Sequence, residues 1–66
     1  MNLSININTD NDAFSDSNLG SELSRILTRY AEQIKDLDSN DSIYVFNEFF
    51  SDINGNKVGH AKASES

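Results

Sequence analysis

The chain has no cysteine and no proline, and these absences limit how it can be held together. Without cysteine, neither a disulfide nor a zinc site built on thiolates is available. A single core in a chain of fewer than about 70 residues rarely supplies more than about 3–5 kcal/mol. We therefore expect the 66 residues to form one small domain that gains stability from a second copy or from a target.

Long hydrophobic runs and positive charges are also scarce. No run reaches the roughly 18 apolar residues of a membrane span, and the segment MNLSININ lacks the features of a signal peptide, so a cytoplasmic protein is predicted. Eleven acidic against five basic residues give a net charge of −6, which disfavours direct binding to nucleic acid or to an anionic membrane. The charge either keeps a small protein soluble or faces a basic surface on a partner.

One segment has an unambiguous repeat, and it predicts a helix over residues 19–37. Its apolar residues recur at spacings of three and four, as expected of one helical face. Asn18 is the predicted N-cap. Glu22 and Arg25 belong to the opposite stripe, which we expect to be a solvated helix back with an ion pair between these two residues.

Strand patterns flank this helix and predict an α+β fold. Alternating apolar residues near the amino terminus and a run rich in β-branched and aromatic residues after the helix are typical of strands, and the pair Asn54–Gly55 indicates a hairpin. We expect one amphipathic helix on a three-stranded antiparallel sheet, in the order β-α-β-β along the chain and 1-3-2 in the sheet. The predicted segments are a first strand at 2–8, an acidic linker at 9–18, the helix at 19–37, a second strand at 43–53, a third strand at 56–63 and a frayed tail at 64–66.

The register of the hairpin stays open at this point. A two-residue turn at Asn54–Gly55 places Val58 on the face of Phe49 and Ile53, whereas a three-residue turn with a bulge at the glycine places Val58 with Phe50. In both registers the second strand carries large apolar residues on both faces, and one helix covers only one face. Unless the linker or the tail folds across them, the uncovered residues would form a contact patch.

Motifs for chemistry are weak. Asp36, Asp38 and Asn40 match ligand positions of a calcium loop, but Asp41 stands where that loop needs glycine, so an ordinary acidic turn is the better interpretation. His60 is the single histidine, and no cysteine or glycine-rich nucleophile turn accompanies it. We expect neither an enzyme nor a cofactor or metal site.

Three segments resemble short proteins of uncharacterised role that are encoded by phages and prophages. The segments are TDNDAF at 9–14, NLGSELSRIL at 18–27 and INGNKVGHAK at 53–62. Small acidic phage proteins without catalytic motifs are frequently inhibitors of host defence. By context, the resemblance implies an inhibitor of the anti-CRISPR type that acts in the host cell.

The functional prediction combines this context with the charge pattern. We predict a phage-type protein that binds and inhibits a host defence effector by occupying its basic nucleic-acid-binding surface. The alternative is a structural or accessory phage protein that acts as a homo-oligomer, with a homodimer as the simplest form. A module for divalent ions is a third hypothesis. The predicted partner-binding residues are the acidic Asp38, Asp41, Glu48 and Asp52 and the aromatic Tyr44, Phe46 and Phe50.

Overall fold

One helix packs on a three-stranded antiparallel sheet in the computed structural model, which describes residues 1–65. The strands lie in the order first, third, second, so each neighbouring pair is antiparallel. The predicted α+β fold and strand order are confirmed. The elements are β1 (Asn2–Ile7), a 3-10 helix (Asp12–Phe14), α1 (Asn18–Ile34), a second 3-10 helix (Ile43–Phe46), β2 (Glu48–Ser51) and β3 (Lys57–Ser64).

The central strand, β3, holds the sheet together. It pairs with β1 over six residues, from Asn2 opposite Ser64 to Ile7 opposite Gly59. Because of this pairing, β3 extends to Ser64, the first residue of the segment that was predicted to be a frayed tail. Ser66, the last residue of that predicted tail, lies outside the described residues.

The hairpin between β2 and β3 contains a three-residue turn. The backbone N–H of Gly55 donates to the carbonyl of Asp52 at 3.0 Å, and Gly55 adopts a φ of 86°, a left-handed conformation that suits glycine. Further along, Phe50 lies opposite Gly59 while Ser51 lies opposite Lys57, so β3 has one extra residue, Val58. Neither register left open by the sequence holds along the whole hairpin. The three-residue turn is present and Val58 lies in the core with Phe50, as the second register predicted, but the extra residue shifts the ladder so that Phe50 pairs with Gly59.

The hydrophobic core lies between α1 and the face of the sheet that carries Phe50. Phe14, from the acidic linker, closes one end of this core. The linker is ordered there because Asn11 accepts a hydrogen bond from the backbone N–H of Ala13 at 2.9 Å and caps the first 3-10 helix. The buried core residues are Phe14, Ile26, Tyr30, Phe50, Val58 and Ala61.

The prediction of one strand over residues 43–53 is wrong for its first half. Ile43–Phe46 forms a 3-10 helix, and β2 covers only Glu48–Ser51. Asn47 ends the β2–β3 ladder, because its side-chain oxygen accepts from the backbone N–H of Ala63 at 2.8 Å. The carbonyl of Phe46 instead accepts from the hydroxyl of Tyr30 at 2.8 Å.

The helix also differs from its predicted bounds. It begins one residue earlier, at Asn18, so Asn18 is its first residue and Ser17 precedes it as the N-cap, without a side-chain capping bond. It ends at Ile34, three residues before the predicted end. The expectation that Glu22 lies on a solvated back is wrong, because Glu22 is buried.

Candidate partner-binding surface

The seven residues predicted to bind a partner do not form one surface. Phe50 is the clearest exception, since its side chain is only 3% exposed and belongs to the core. Its ring meets the ring of Tyr30 edge to face, with centroids 5.4 Å apart and an interplanar angle of 79°. The expectation that Phe50 contacts a partner is wrong.

Asp52 is the second exception, because its carboxylate holds the hairpin together. One oxygen accepts from the backbone N–H groups of Asn54 and Asn56 at 2.9 and 2.8 Å, and the other accepts from the side-chain amides of Asn11 and Asn56 at 2.8 and 3.2 Å. Burial opposes ionisation, but these hydrogen bonds outweigh it and hold the pKa of Asp52 below its ordinary value. The role of Asp52 is therefore structural rather than partner binding.

The hairpin is tied to the helix by a second buried carboxylate. Glu22 accepts from the side chain of Arg25 at 2.6 Å, which confirms the predicted ion pair, and from the backbone N–H of Ile53 at 2.8 Å. The hydrogen bond from Arg25 is the main cause that holds the pKa of Glu22 below its ordinary value, against the effect of burial. Arg25 also donates to the carbonyl of Ser51 at 3.1 Å. These side chains fasten α1 to the end of β2.

Three of the other predicted residues do come together. Asp38, Asp41 and Phe46 line a groove of about 430 Å³ that we call the acidic groove. We call its apolar lining residues the floor and its three carboxylates the rim, and together they come from three separate parts of the chain. The lining residues are Met1, Asp38, Ser39, Asp41, Ile43, Phe46 and Glu65.

The turn that carries the two aspartates is held by the aspartates themselves. Asp38 accepts from the backbone N–H of Asn40 at 2.8 Å, and Asp41 accepts from the backbone N–H of Asp38 at 2.9 Å. The second 3-10 helix follows at once, with Ser42 accepting from the backbone N–H of Tyr44 at 3.3 Å. This local bonding fixes the spacing between the acidic turn and the aromatic residues after it.

Tyr44 is the most exposed of the predicted aromatic residues, at 72%. It shares the second 3-10 helix with Val45, which is also exposed, and with Phe46, which is half-buried at the acidic groove. Glu48 is exposed but lines a separate cleft between α1 and β2, beside Arg29. The predicted surface therefore reduces to Asp38, Asp41, Tyr44 and Phe46.

Some exposed residues at this end of the molecule were not predicted from the sequence. Met1 and Glu65 reach the acidic groove because they are the sequence neighbours of Asn2 and Ser64, which pair with each other in the sheet. The predicted pairing of the first strand with the third already implies that Met1 and Glu65 lie close together. Phe49, in contrast, is 66% exposed, and only the hairpin register decides that it points away from the core.

The open face of the sheet has a different character from the acidic groove. Phe49 lies there with the ammonium group of Lys57 4.2 Å from its ring centroid, and it pairs across strands with His60. Lys62 follows two residues after His60 on the same side of β3. This face carries positive charge, so the acidity of the chain is concentrated elsewhere.

No group of three or more histidine, cysteine, aspartate or glutamate side chains in residues 1–65 could hold a metal ion. Over the same residues, no helix is long and apolar enough to cross a bilayer. No family model, curated protein or solved structure matches the chain.

Proposed function

We propose that the chain is a protein-binding inhibitor that occupies a cationic surface of its partner, where the partner would otherwise hold nucleic acid. The observation that carries this proposal is the acidic groove, which combines three carboxylates with apolar side chains, together with the exposed Tyr44, which follows the lining residue Ile43 in sequence. In keeping with the resemblance to phage proteins, the partner is a host defence effector that depends on nucleic acid.

The acidic groove fits the side chain of an arginine or lysine. The aliphatic stem of such a residue packs on Ile43 and Phe46, while its charged head reaches the carboxylates of Asp38 and Asp41. The floor thus recognises the aliphatic stem of the side chain, and the rim recognises its charged head. A solvated acidic turn without a floor would offer only charge.

Tyr44 and Val45 extend the contact beyond the groove. Both are exposed, and both belong to the short helix that also supplies Phe46 to the floor. Tyrosine supplies a large contact area with a polar tip and is enriched among the residues that dominate binding energy. We therefore assign Tyr44 as the central contact and the carboxylates as the determinants of charge complementarity.

Inhibition follows from competition for the same cations. A surface that binds phosphates is lined by lysine and arginine, and the carboxylates of the acidic groove are attracted to such a surface. Once bound, the acidic groove pairs with side chains that would otherwise contact phosphate. Nucleic acid then loses those contacts.

Calorimetry with a nona-arginine peptide tests the recognition step. We expect the double substitution Asp38→Asn and Asp41→Asn to weaken binding about five- to tenfold, because each removes one exposed charge pair worth up to about 1 kcal/mol. Asparagine keeps a side-chain oxygen for the hydrogen bonds to Asn40 and to the Asp38 backbone, so the turn is retained.

The matched control removes the same charge elsewhere. Asp10→Asn with Asp12→Asn changes the net charge equally, in exposed residues of the linker. We expect this variant to bind the peptide as the wild type does within about twofold. Equal weakening by both variants would mean that the peptide responds only to net charge, and the acidic groove would lose its assigned role.

A further inference from the structure

The first strand, β1, is an unprotected edge of the sheet. It pairs with β3 on one side only. The backbone N–H of Asn8 donates to the carbonyl of Val58 in β3. Backbone groups of successive residues in a strand point to opposite sides. The backbone groups of Leu3, Ile5 and Ile7 therefore point away from β3. These outward groups form a row along the edge that can pair with a further strand.

Protein edges are commonly blocked by charge, proline or a bulge, and β1 has none of these. Residues 1–9 contain no charged side chain and no proline, and the pairing of β1 with β3 is regular over all six residues. The opposite edge, β2, is only four residues long, and Arg25 donates to its Ser51 carbonyl. The two edges of the sheet are therefore not equivalent.

An apolar strip lies along this same edge. Leu3 and Ile5 are 39% and 45% exposed, although Ala63 and Ala61, which lie opposite them on β3, are buried. Arg25 lies on the side of α1 that is bonded to β2. Two residues correspond to about 200° around a helix, so Leu27 lies on the opposite side of α1, which is nearer to β1. Leu27 is exposed as well.

We propose that the chain forms a homodimer in which β1 pairs antiparallel with β1 of a second copy. Leu3, Ile5 and Ile7 have outward backbone groups, so Ile5 lies opposite Ile5 of the second copy and Leu3 lies opposite Ile7. The two sheets become one sheet of six strands with both helices on the same side. The two apolar strips then meet and share one core across the two-fold axis.

The charge pattern leaves β1 as the strand that a second copy can pair with. Two chains of net charge −6 repel each other, so they associate only through surfaces that add no like charges at the contact. Among the strands, β1 is the one without a charged side chain, since β2 carries Glu48 and β3 carries Lys57 and Lys62. The acidic groove involves different side chains, so the dimer does not depend on the proposed inhibitory function.

Sedimentation of the full chain tests the dimer. We expect the wild type to sediment as a dimer at micromolar concentration. Ile5→Lys places a charge in the apolar strip, and Ile5→Pro removes an outward N–H while the N–H groups bonded to β3 remain. Each should weaken dimerisation at least tenfold.

The matched control for the lysine substitution is Phe49→Lys. It replaces another exposed apolar residue and changes the net charge equally, but on the open face of β2. It should remain dimeric, as should Asp38→Asn with Asp41→Asn, which separates the dimer from the function of the acidic groove. A monomeric wild type, or an unchanged dimer in Ile5→Lys, would overturn the proposal.

A spin label gives a second readout that does not depend on disrupting the strand. Because the chain lacks cysteine, Asn6→Cys carries a single label on the open face of β1. In the proposed register, Asn6 lies opposite residue 4 of the second copy, two residues away from that copy's Asn6. One spacing between strands and two residues along a strand together place the two Asn6 Cα atoms about 8 Å apart. Strong dipolar broadening is expected, and a dimer without it would overturn this register.

Discussion

At the scale of single residues, the neighbouring phenylalanines Phe49 and Phe50 have opposite roles. The sequence predicted that one face of this strand would be covered and the other open, but it could not decide which ring belongs to which face. The decision is made by the three-residue turn and by Val58, the extra residue of β3. Such irregularities depend on contacts between strands, and composition alone does not reveal them.

Substitution of the two phenylalanines by alanine tests this assignment. Phe50→Ala removes a core ring and is expected to cost about 3–5 kcal/mol, which is as much as a core of this size supplies, so this variant should be largely unfolded. Phe49→Ala loses an exposed contact with Lys57 and should cost about 1 kcal/mol or less. Circular dichroism without denaturant shows whether Phe50→Ala is folded, and urea denaturation measures the cost of Phe49→Ala. Equal stability of the two variants would contradict the register.

The buried carboxylate of Asp52 predicts a pH dependence of stability. The pKa of Asp52 is lower in the folded chain than its ordinary value of 3.8, so the carboxylate contributes its full stabilisation above that value. This contribution is lost as the pH falls through the lowered, folded-state pKa. We expect the free energy of unfolding to fall as the pH is lowered from about 5 towards 2.

Asp52→Asn should reduce that slope and destabilise the hairpin at neutral pH, since one side-chain oxygen is replaced by a donor that faces two amide groups. Asp10→Asn, at an exposed position, serves as the control and should leave the slope close to that of the wild type. Thermal unfolding followed by circular dichroism at several pH values gives the comparison. A slope that Asp52→Asn leaves intact would assign the acid sensitivity to other carboxylates.

At the scale of secondary structure, the sequence predicted the elements with strong local patterns. The strand near the amino terminus and the helix appear close to their predicted positions because alternation and helical spacing determine them locally. Ile43–Phe46 has the composition of a strand but forms a 3-10 helix. The contacts that produce this result involve Tyr30 and Ala63, which are distant in sequence. Glu22 was misplaced for the same reason, since its partner Ile53 is in the hairpin.

The candidate site was predicted to a similar extent. Asp38, Asp41, Tyr44 and Phe46 lie at one end of the molecule because they are close in sequence and joined by turn and helix hydrogen bonds. The sequence could not show that Phe50 lies in the core rather than on this surface, because its side depends on the register of the β2–β3 hairpin.

Two glycine-to-alanine substitutions test the packing of β1 against β3. A Cβ atom at Gly59 would overlap the carbonyl oxygen of Asn6 and lie 2.8 Å from the Cα of Ile7, and neither backbone atom can yield easily. Gly59→Ala should therefore displace β1 and lower the protection of β1 amides from hydrogen exchange. Gly20→Ala in α1 meets no atom within 4 Å and should stabilise the chain by about 0.5–1 kcal/mol. Destabilisation of equal size by both would contradict this packing.

At the scale of the whole molecule, charge is distributed unevenly over an elongated body of 40 × 21 × 17 Å. The acidic groove lies where Met1 and Glu65 approach residues 38–46, whereas Lys57 and Lys62 lie on the open face of the sheet. At about 0.1 M salt the Debye length is about 10 Å, so a cationic partner responds mainly to the surface nearest to it. This arrangement favours a defined orientation of the partner over non-specific attraction.

Chemical-shift mapping with the nona-arginine peptide is the most direct test of the proposed binding surface. We expect the largest changes in the ¹⁵N-labelled chain at residues 38–46, with further changes at Glu65, and only small changes at residues 9–18, which are also acidic. Higher salt should reduce these shifts together. Equal changes across both acidic segments, or changes centred on the open face near Phe49, would contradict the assignment of the acidic groove as the binding surface.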